Sequence, residues 1–116
     1  ADSVVRGCED WLGKHYRETD AIKQVVGTAG IPERTLKRRF KTATGTTLID
    51  YLQNLRIEEA KRLLETEPTA VDDISVAVSY EDPSFFRRLF KRRTGLTPSQ
   101  YRRMFQPVVA AQIATK

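Results

Sequence analysis

The chain has few of the residues that catalysis, metal binding or membrane insertion would need. Of its 116 residues one is histidine, one cysteine, one methionine and one tryptophan. His15 stands alone, with no Cys/His cluster at metal-ligand spacing, so neither a metal nor a cofactor is expected. No Ser, His and Asp set can be assembled for acyl transfer. None of the six glycines belongs to a loop that would cradle a phosphate ahead of a helix. The chain is therefore not expected to be an enzyme. Cys8 has no partner for an internal disulfide, which suits a reducing, cytosolic setting. Its place near Trp11 and Leu12 in a helical pattern marks it as a buried thiol. No apolar run approaches the ~20 residues that span a bilayer, and no signal-peptide pattern is evident. Sustained alternation of polar and apolar residues is missing too, so strands are not expected.

What remains is positive charge and helical periodicity. Twenty Lys and Arg against fifteen Asp and Glu leave a net charge of +5, which favours acidic partners. The charge is carried by a repeat. Arg-Arg-Phe-Lys-Thr-Ala-Thr-Gly-Thr-Thr (38–47) returns as Arg-Leu-Phe-Lys-Arg-Arg-Thr-Gly-Leu-Thr (88–97), offset by 50 residues. Arg38, Phe40, Lys41, Thr44, Gly45, Thr47 and Tyr51 match Arg88, Phe90, Lys91, Thr94, Gly95, Thr97 and Tyr101, seven identities in fourteen positions. A period of this length means two copies of one supersecondary unit.

Periodicity and stop signals give an all-α fold of seven helices. Val4, Val5, Cys8, Trp11, Leu12 and Tyr16 mark the first, which opens the chain as though cut from something longer. Thr19 or Asp20 caps a second that ends at Gly30. A third runs from Pro32 or Glu33 to Thr44 and stops at Gly45. Thr46 or Thr47 caps a long fourth to about Leu64, and Pro68 breaks the chain. Val71 to Val78 follows with Thr69 as cap and Asp72 and Asp73 at its positive end. Asp82-Pro83 starts a sixth helix ending at Gly95, and Thr97-Pro98 starts a seventh. The expected organisation is a helix-turn-helix unit over 1–52, a linker helix over 47–65, a second such unit over 66–105 and a tail over 106–116 without an identifiable partner.

On the third helix Leu36, Phe40 and Ala43 fall on one side at 100° per residue. Arg34, Lys37, Arg38 and Lys41 fall on the other. The sixth repeats this, with Phe86, Leu89 and Phe90 inward and Ser84, Arg87, Arg88 and Lys91 outward. Neither outer face carries an acid beyond Glu33, so the pattern does not read as a solvated face of paired charges. Each basic helix stands second in a helix-turn-helix, the place of groove-reading residues, and double-stranded DNA is the expected partner. In the linker helix Leu48, Leu52, Leu55 and Leu63 form one apolar face and Ile57, Ala60 and Leu64 another, as in a helix packed on both sides. Its ~26 Å would set the two basic helices near the ~34 Å repeat of B-DNA. Arg56, among apolar neighbours, is expected to be structural and paired with a carboxylate such as Glu59.

Arg56-Ile57-Glu58-Glu59-Ala60-Lys61-Arg62-Leu63-Leu64, then Tyr80-Glu81-Asp82-Pro83-Ser84-Phe85-Phe86-Arg87-Arg88-Leu89-Phe90-Lys91 and Thr94-Gly95-Leu96-Thr97-Pro98-Ser99-Gln100-Tyr101-Arg102, closely resemble the DNA-binding domain of AraC/XylS-family bacterial transcription regulators. The resemblance covers about residues 4–105. It implies an asymmetric DNA site read by one polypeptide, usually for activation through RNA polymerase. It places base-reading positions at Arg34, Lys37 and Arg38, and at Ser84, Phe85, Arg87 and Arg88 with Pro83 and Glu81 at the helix entrance. Helix starts around Thr46, Thr47, Thr97 and Ser99 are expected at phosphates, as are Lys41 and Lys91. Arg34-Thr35-Lys37 against Ser84-Phe85-Arg87 is where the copies differ, and so where different half-sites can be read.

Three residues depart from the family pattern: Ser79 where glycine is usual, Gly27 where alanine is, and Pro32 in place of a serine cap. The wording from Pro32 to Phe40 also resembles members with an amidase-like domain upstream. Sensing and dimerisation are expected on a missing part, with this piece monomeric. The alternative is a basic helical module for an acidic protein or an anionic membrane. Membrane insertion would consume apolar faces needed inside, so no membrane partner is expected.

Overall fold

The computed structural model describes residues 2–106, and the tail read from Pro107 onward lies outside them. Seven α-helices make up the regular structure among the described residues: α1 (Ser3–His15), α2 (Ala21–Ala29), α3 (Glu33–Thr44), α4 (Leu48–Thr66), α5 (Val71–Ala77), α6 (Pro83–Thr94) and α7 (Pro98–Phe105). The chain forms two compact units that divide inside α4, between Arg56 and Ile57.

The first unit buries Val5, Cys8 and Leu12 of α1 against Val25 of α2, Leu36 and Phe40 of α3, and Leu48 and Leu52 of α4. The second buries Ile57, Ala60 and Leu64 of α4 with Ile74, Val78, Tyr80, Phe86, Leu89 and Phe90. Leu63, grouped by periodicity with Leu48, packs instead with the second cluster. Ala43, expected in the buried stripe, is exposed. It lies in the last turn of α3 beside an open hollow of about 620 Å³ that Val5 and Tyr51 also line.

The repeated Thr-Gly is a hydrogen-bonded helix stop in both copies. Gly45 (φ 79°) and Gly95 (φ 83°) take the left-handed conformation that favours glycine. Their N–H groups donate to the Lys41 and Lys91 carbonyls at 2.9 and 2.7 Å. The Thr44 hydroxyl lies 2.8 Å from the Phe40 carbonyl and accepts the Thr46 N–H at 3.2 Å. Thr94 does the same with Phe90 at 2.8 Å and Leu96 at 3.1 Å. The repeated tyrosines then meet the repeated phenylalanines edge-on, Tyr51 with Phe40 at 5.3 Å and Tyr101 with Phe90 at 5.5 Å. The Tyr101 hydroxyl donates to the Glu65 carboxylate at 2.6 Å. Burial first, and then that bond, push its phenol above the usual range.

Two buried arginines hold helix ends. Arg56 donates to the Tyr16 and Glu18 carbonyls at 2.7 and 2.8 Å. Glu59, the carboxylate suggested for it by the sequence, accepts from Arg62 at 2.8 Å. A helix end leaves carbonyls without intrahelical donors, and a guanidinium supplies several in a fixed fork. Arg102 likewise donates to the Leu64 and Glu67 carbonyls at 3.2 and 3.0 Å. Gln106, read as the start of the tail, donates its side-chain amide to the Glu65 carbonyl.

Several caps differ from expectation. Asp20 stands at the N-cap of α2, but its carboxylate accepts from the Gln24 side chain at 2.5 Å rather than from a backbone N–H. Ala70, not Thr69, holds the N-cap of α5, without a side-chain bond; Asp72 and Asp73 in the first turn complement its positive end instead. The fourth helix runs two residues past Leu64, where the Thr66 hydroxyl donates to the Arg62 carbonyl at 2.7 Å. The fifth ends at Ala77 rather than Val78.

Ser79 has φ 69° and is the one non-glycine residue with positive φ among those described. Tyr80 N–H donates to the Ser75 carbonyl and Ser79 N–H to the Val76 carbonyl, both at 2.9 Å. This is a Schellman closure with serine at the position glycine usually takes. Left-handed backbone costs a non-glycine residue ~1–2 kcal/mol, and the added freedom of an unfolded glycine offsets ~0.4–1 kcal/mol of that relief. Ser79→Gly is therefore expected to stabilise the domain by about 0.5–1 kcal/mol, read as a higher urea midpoint. Gly27→Ala adds a methyl with nothing within 4 Å and should gain about 0.5–1 kcal/mol through helix propensity. Arg102→Ala, which orphans the Leu64 and Glu67 carbonyls, should cost about 2–4 kcal/mol in the same measurement; an unchanged midpoint would deny the clamp its role.

Candidate nucleic-acid interface

In the first unit α3 is held by one side. Leu36 and Phe40 are fully buried, while Arg34, Lys37, Arg38 and Lys41 are exposed and Thr35 is half-buried. The helix follows a turn through Gly30, at φ 71°, and opens behind Pro32 without a side-chain cap. Its cations are not equivalent. Arg39 is turned away from the outer face and bonds Asp2 through Nε at 2.9 Å and Nη2 at 2.7 Å. The same Asp2 carboxylate accepts the Val4 and Val5 N–H groups at the start of α1, and the Arg39 bond holds its carboxyl below the usual range. Lys37 pairs with Glu33 at 2.8 Å, and Lys41 donates to the Gly45 carbonyl at 2.9 Å. Arg34 and Arg38 are left with no hydrogen bond or ion pair to another described residue.

The second unit builds α6 the same way. Phe86, Leu89 and Phe90 are buried, and Ser84, Phe85, Arg87, Arg88 and Lys91 are exposed. Asp82 caps it by accepting the Ser84 N–H at 2.9 Å, with Pro83 in the first turn. Glu81 is exposed just ahead of the cap. The Phe85 ring, 38% exposed, stands 5.5 Å from that of Tyr80, so a large apolar side chain is presented outward from a braced position. Arg87 is engaged by Asp72 of α5, whereas Arg88 and Lys91 have no partner among the described residues. Arg87, Arg88, Lys91, Arg92 and Thr97 line a shallow hollow of about 450 Å³ at the start of α7, four cationic side chains beside one threonine.

Three of the hydroxyls expected at phosphates, those of Thr46, Thr47 and Thr97, are in use within the protein. Thr47 accepts the Asp50 N–H at 3.1 Å. Thr97 forms a capping box: its hydroxyl accepts the Gln100 N–H at 3.1 Å and its own N–H donates to the Gln100 side chain at 2.9 Å. The Thr46 hydroxyl lies 3.2 Å from that of Thr44, and Ser99 is exposed in the first turn of α7. What these starts offer an anion is the positive helix end rather than the capping hydroxyl.

Sequence reading missed the acids that reach these faces. The Glu33–Lys37 pair was legible at its i,i+4 spacing and was passed over as too little to pair the face. Asp72 meets Arg87 across 15 residues of chain, and no local spacing announces it.

A family profile described as "Helix-turn-helix domain" matches residues 25–104. The HTH-type transcriptional activator RhaR of Salmonella heidelberg is 42% identical over 72 residues, 62% of this chain and 26% of that protein. The chain thus spans about a quarter of the length of such curated relatives. Among solved structures, the C-terminal domain of AraT, a response regulator from Geobacillus stearothermophilus, superposes with a TM-score of 0.84 at 28% identity, over 89% of this chain and 86% of that one. The DNA-binding domain of AdpA, a global transcriptional factor solved with a target DNA, gives 0.81 at 29% identity, over 90% and 96%. With two helix-turn-helix units, seven helices and this match over most of its length, the chain belongs to the helix-turn-helix family as a DNA-binding domain of the AraC/XylS type.

Proposed function

We propose that this domain binds double-stranded DNA sequence-specifically in transcription control, each helix-turn-helix placing its second helix, α3 or α6, in the major groove at one of two successive segments of an asymmetric site. The observation that carries the reading is the outward presentation of unpartnered arginines, Arg34 and Arg38 on α3 and Arg88 on α6, from helices whose apolar sides are fully used in the core. A free guanidinium on a rigid helix matches the O6 and N7 acceptors of guanine in bidentate fashion. Thr35 and Lys37 complete the first reading set, and Glu81, Ser84, Phe85 and Arg87 the second. Phe85 suits a thymine methyl, and Glu81 can accept from cytosine N4. Lys41, Lys91 and the helix starts at Thr46, Thr47, Thr97 and Ser99 serve the phosphates, fixing register without reading sequence.

The finer reading extends to the longer protein. Activation agrees with the name of RhaR, a transcriptional activator, and contact with RNA polymerase in the bacterial cytoplasm follows from the family resemblance. Effector sensing and dimerisation are assigned to parts outside this chain, and the Pro32–Phe40 wording favours an amidase-like domain among them.

Arg38→Ala and Arg88→Ala are each expected to lose about 1–3 kcal/mol of affinity and to relax preference at one base-pair position, at different positions for the two variants. Selection from a random duplex pool, followed by titration of the winner, measures both. Uniform weakening across all sequences would make these residues phosphate contacts only. Affinity should also fall with salt at a log–log slope of ~0.9 per phosphate neutralised; a flat dependence would remove DNA as the partner.

A further inference from the structure

We infer that Asp72 is a positioning residue for sequence reading: from the first helix of the second helix-turn-helix it holds the Arg87 guanidinium in a fixed orientation at the DNA face. The inference rests on the assignment of Arg87 to base reading. Asp72 Oδ1 is bonded to Arg87 Nη2. The two side chains come from α5 and α6, so the bond ties the reading residue to an element other than its own helix. A guanidinium has five N–H donors in a planar fork, and a bond through Nη2 leaves others for the O6 and N7 of a guanine. A lone exposed arginine has many rotamers to lose on meeting a base; one already held loses fewer.

The pairing is exposed, with 45% of the Arg87 side chain and 61% of the Asp72 side chain accessible, so in water it contributes little. Beneath a duplex, water is excluded and the same bond strengthens. The repeat supplies a second, independent observation. At the 50-residue offset Arg87 corresponds to Lys37; the turn ahead of α6 is one residue longer, so counted back from the left-handed residues Gly30 and Ser79, Asp72 corresponds to Lys23. The planar fork and the acid that would orient it occur together in the second unit and are both missing from the equivalent positions of the first. Lys37 is paired within its own helix, by Glu33, and an ammonium has no plane to orient. Arg88, next along α6, has no such holder among the described residues, so the two adjacent arginines differ in how far their direction is set.

The test compares base preferences of the unaltered 116-residue chain with those of Arg87→Ala, Asp72→Asn and the double variant, using a duplex library randomised across the selected site. The expected result is that Arg87→Ala loses preference at one position by roughly tenfold, the order of one bidentate contact. Asp72→Asn should reduce preference at that same position by about threefold or more, in keeping with the worth of a partly desolvated pair. In the double variant Asp72→Asn should add nothing to the loss at that position. A role in stability alone would lower affinity for every sequence and leave the preference profile unchanged. Asp72→Asn that tightens or weakens binding to all sequences equally, while Arg87→Ala alters one position, overturns the inference and leaves the reading of Arg87 intact. Arg87→Ala with an unaltered profile overturns both.

Discussion

A recognition helix of this kind has to be held from one side only. Within twelve residues α3 carries Arg34, Lys37, Arg38, Arg39 and Lys41, and like charges three and four residues apart repel. Cohesion comes from the other side. Leu36 and Phe40 in the first unit, and Phe86, Leu89 and Phe90 in the second, are essentially removed from water, each worth about 1.5–3 kcal/mol. The remaining architecture serves that burial. The Thr-Gly stop ends the helix directly beyond its anchoring phenylalanine, the following tyrosine closes over the ring edge, and the last helix of each unit completes the wall. The cost of a crowded cationic face is thereby met inside the protein, and the face itself stays open.

Features set by local backbone physics were legible in the sequence. The 50-residue period, the glycine stops at Gly45 and Gly95, the Asp82-Pro83 start and the strained position of Ser79 all follow from rules that act within a few residues. Ala43 was not, because helical angle alone puts it beside Leu36 and says nothing of how far along the helix the core extends. Nor were the carbonyl partners of Arg56. A buried cation needs compensation, and the sequence advertises carboxylates; the carbonyls at a helix end have no letter of their own.

Exposure along α3 and α6 could be read from the angle of each residue on its helix. Which cations are occupied could not. Arg39 looks like its neighbours in the sequence, yet it is committed to Asp2, and Arg87 differs from Arg88 only through a helix packed alongside. Five or so adjacent basic residues therefore resolve into structural, braced and unengaged groups. That sorting is a tertiary property, and it separates residues that can define a site from those that only raise the local potential.

The paired arginine clamps carry a consequence for the modularity of the repeat. Arg102 occupies the repeat position of Leu52, and the repeat position of Arg56 is Gln106. Both copies thus satisfy the carbonyls of a preceding helix end, but one does so from a register four residues displaced from the other. Each places a guanidinium where the other has an aliphatic or amide group. The two copies depend on different clamps. Their recognition faces can be compared residue by residue, but their scaffolds have ceased to be interchangeable parts.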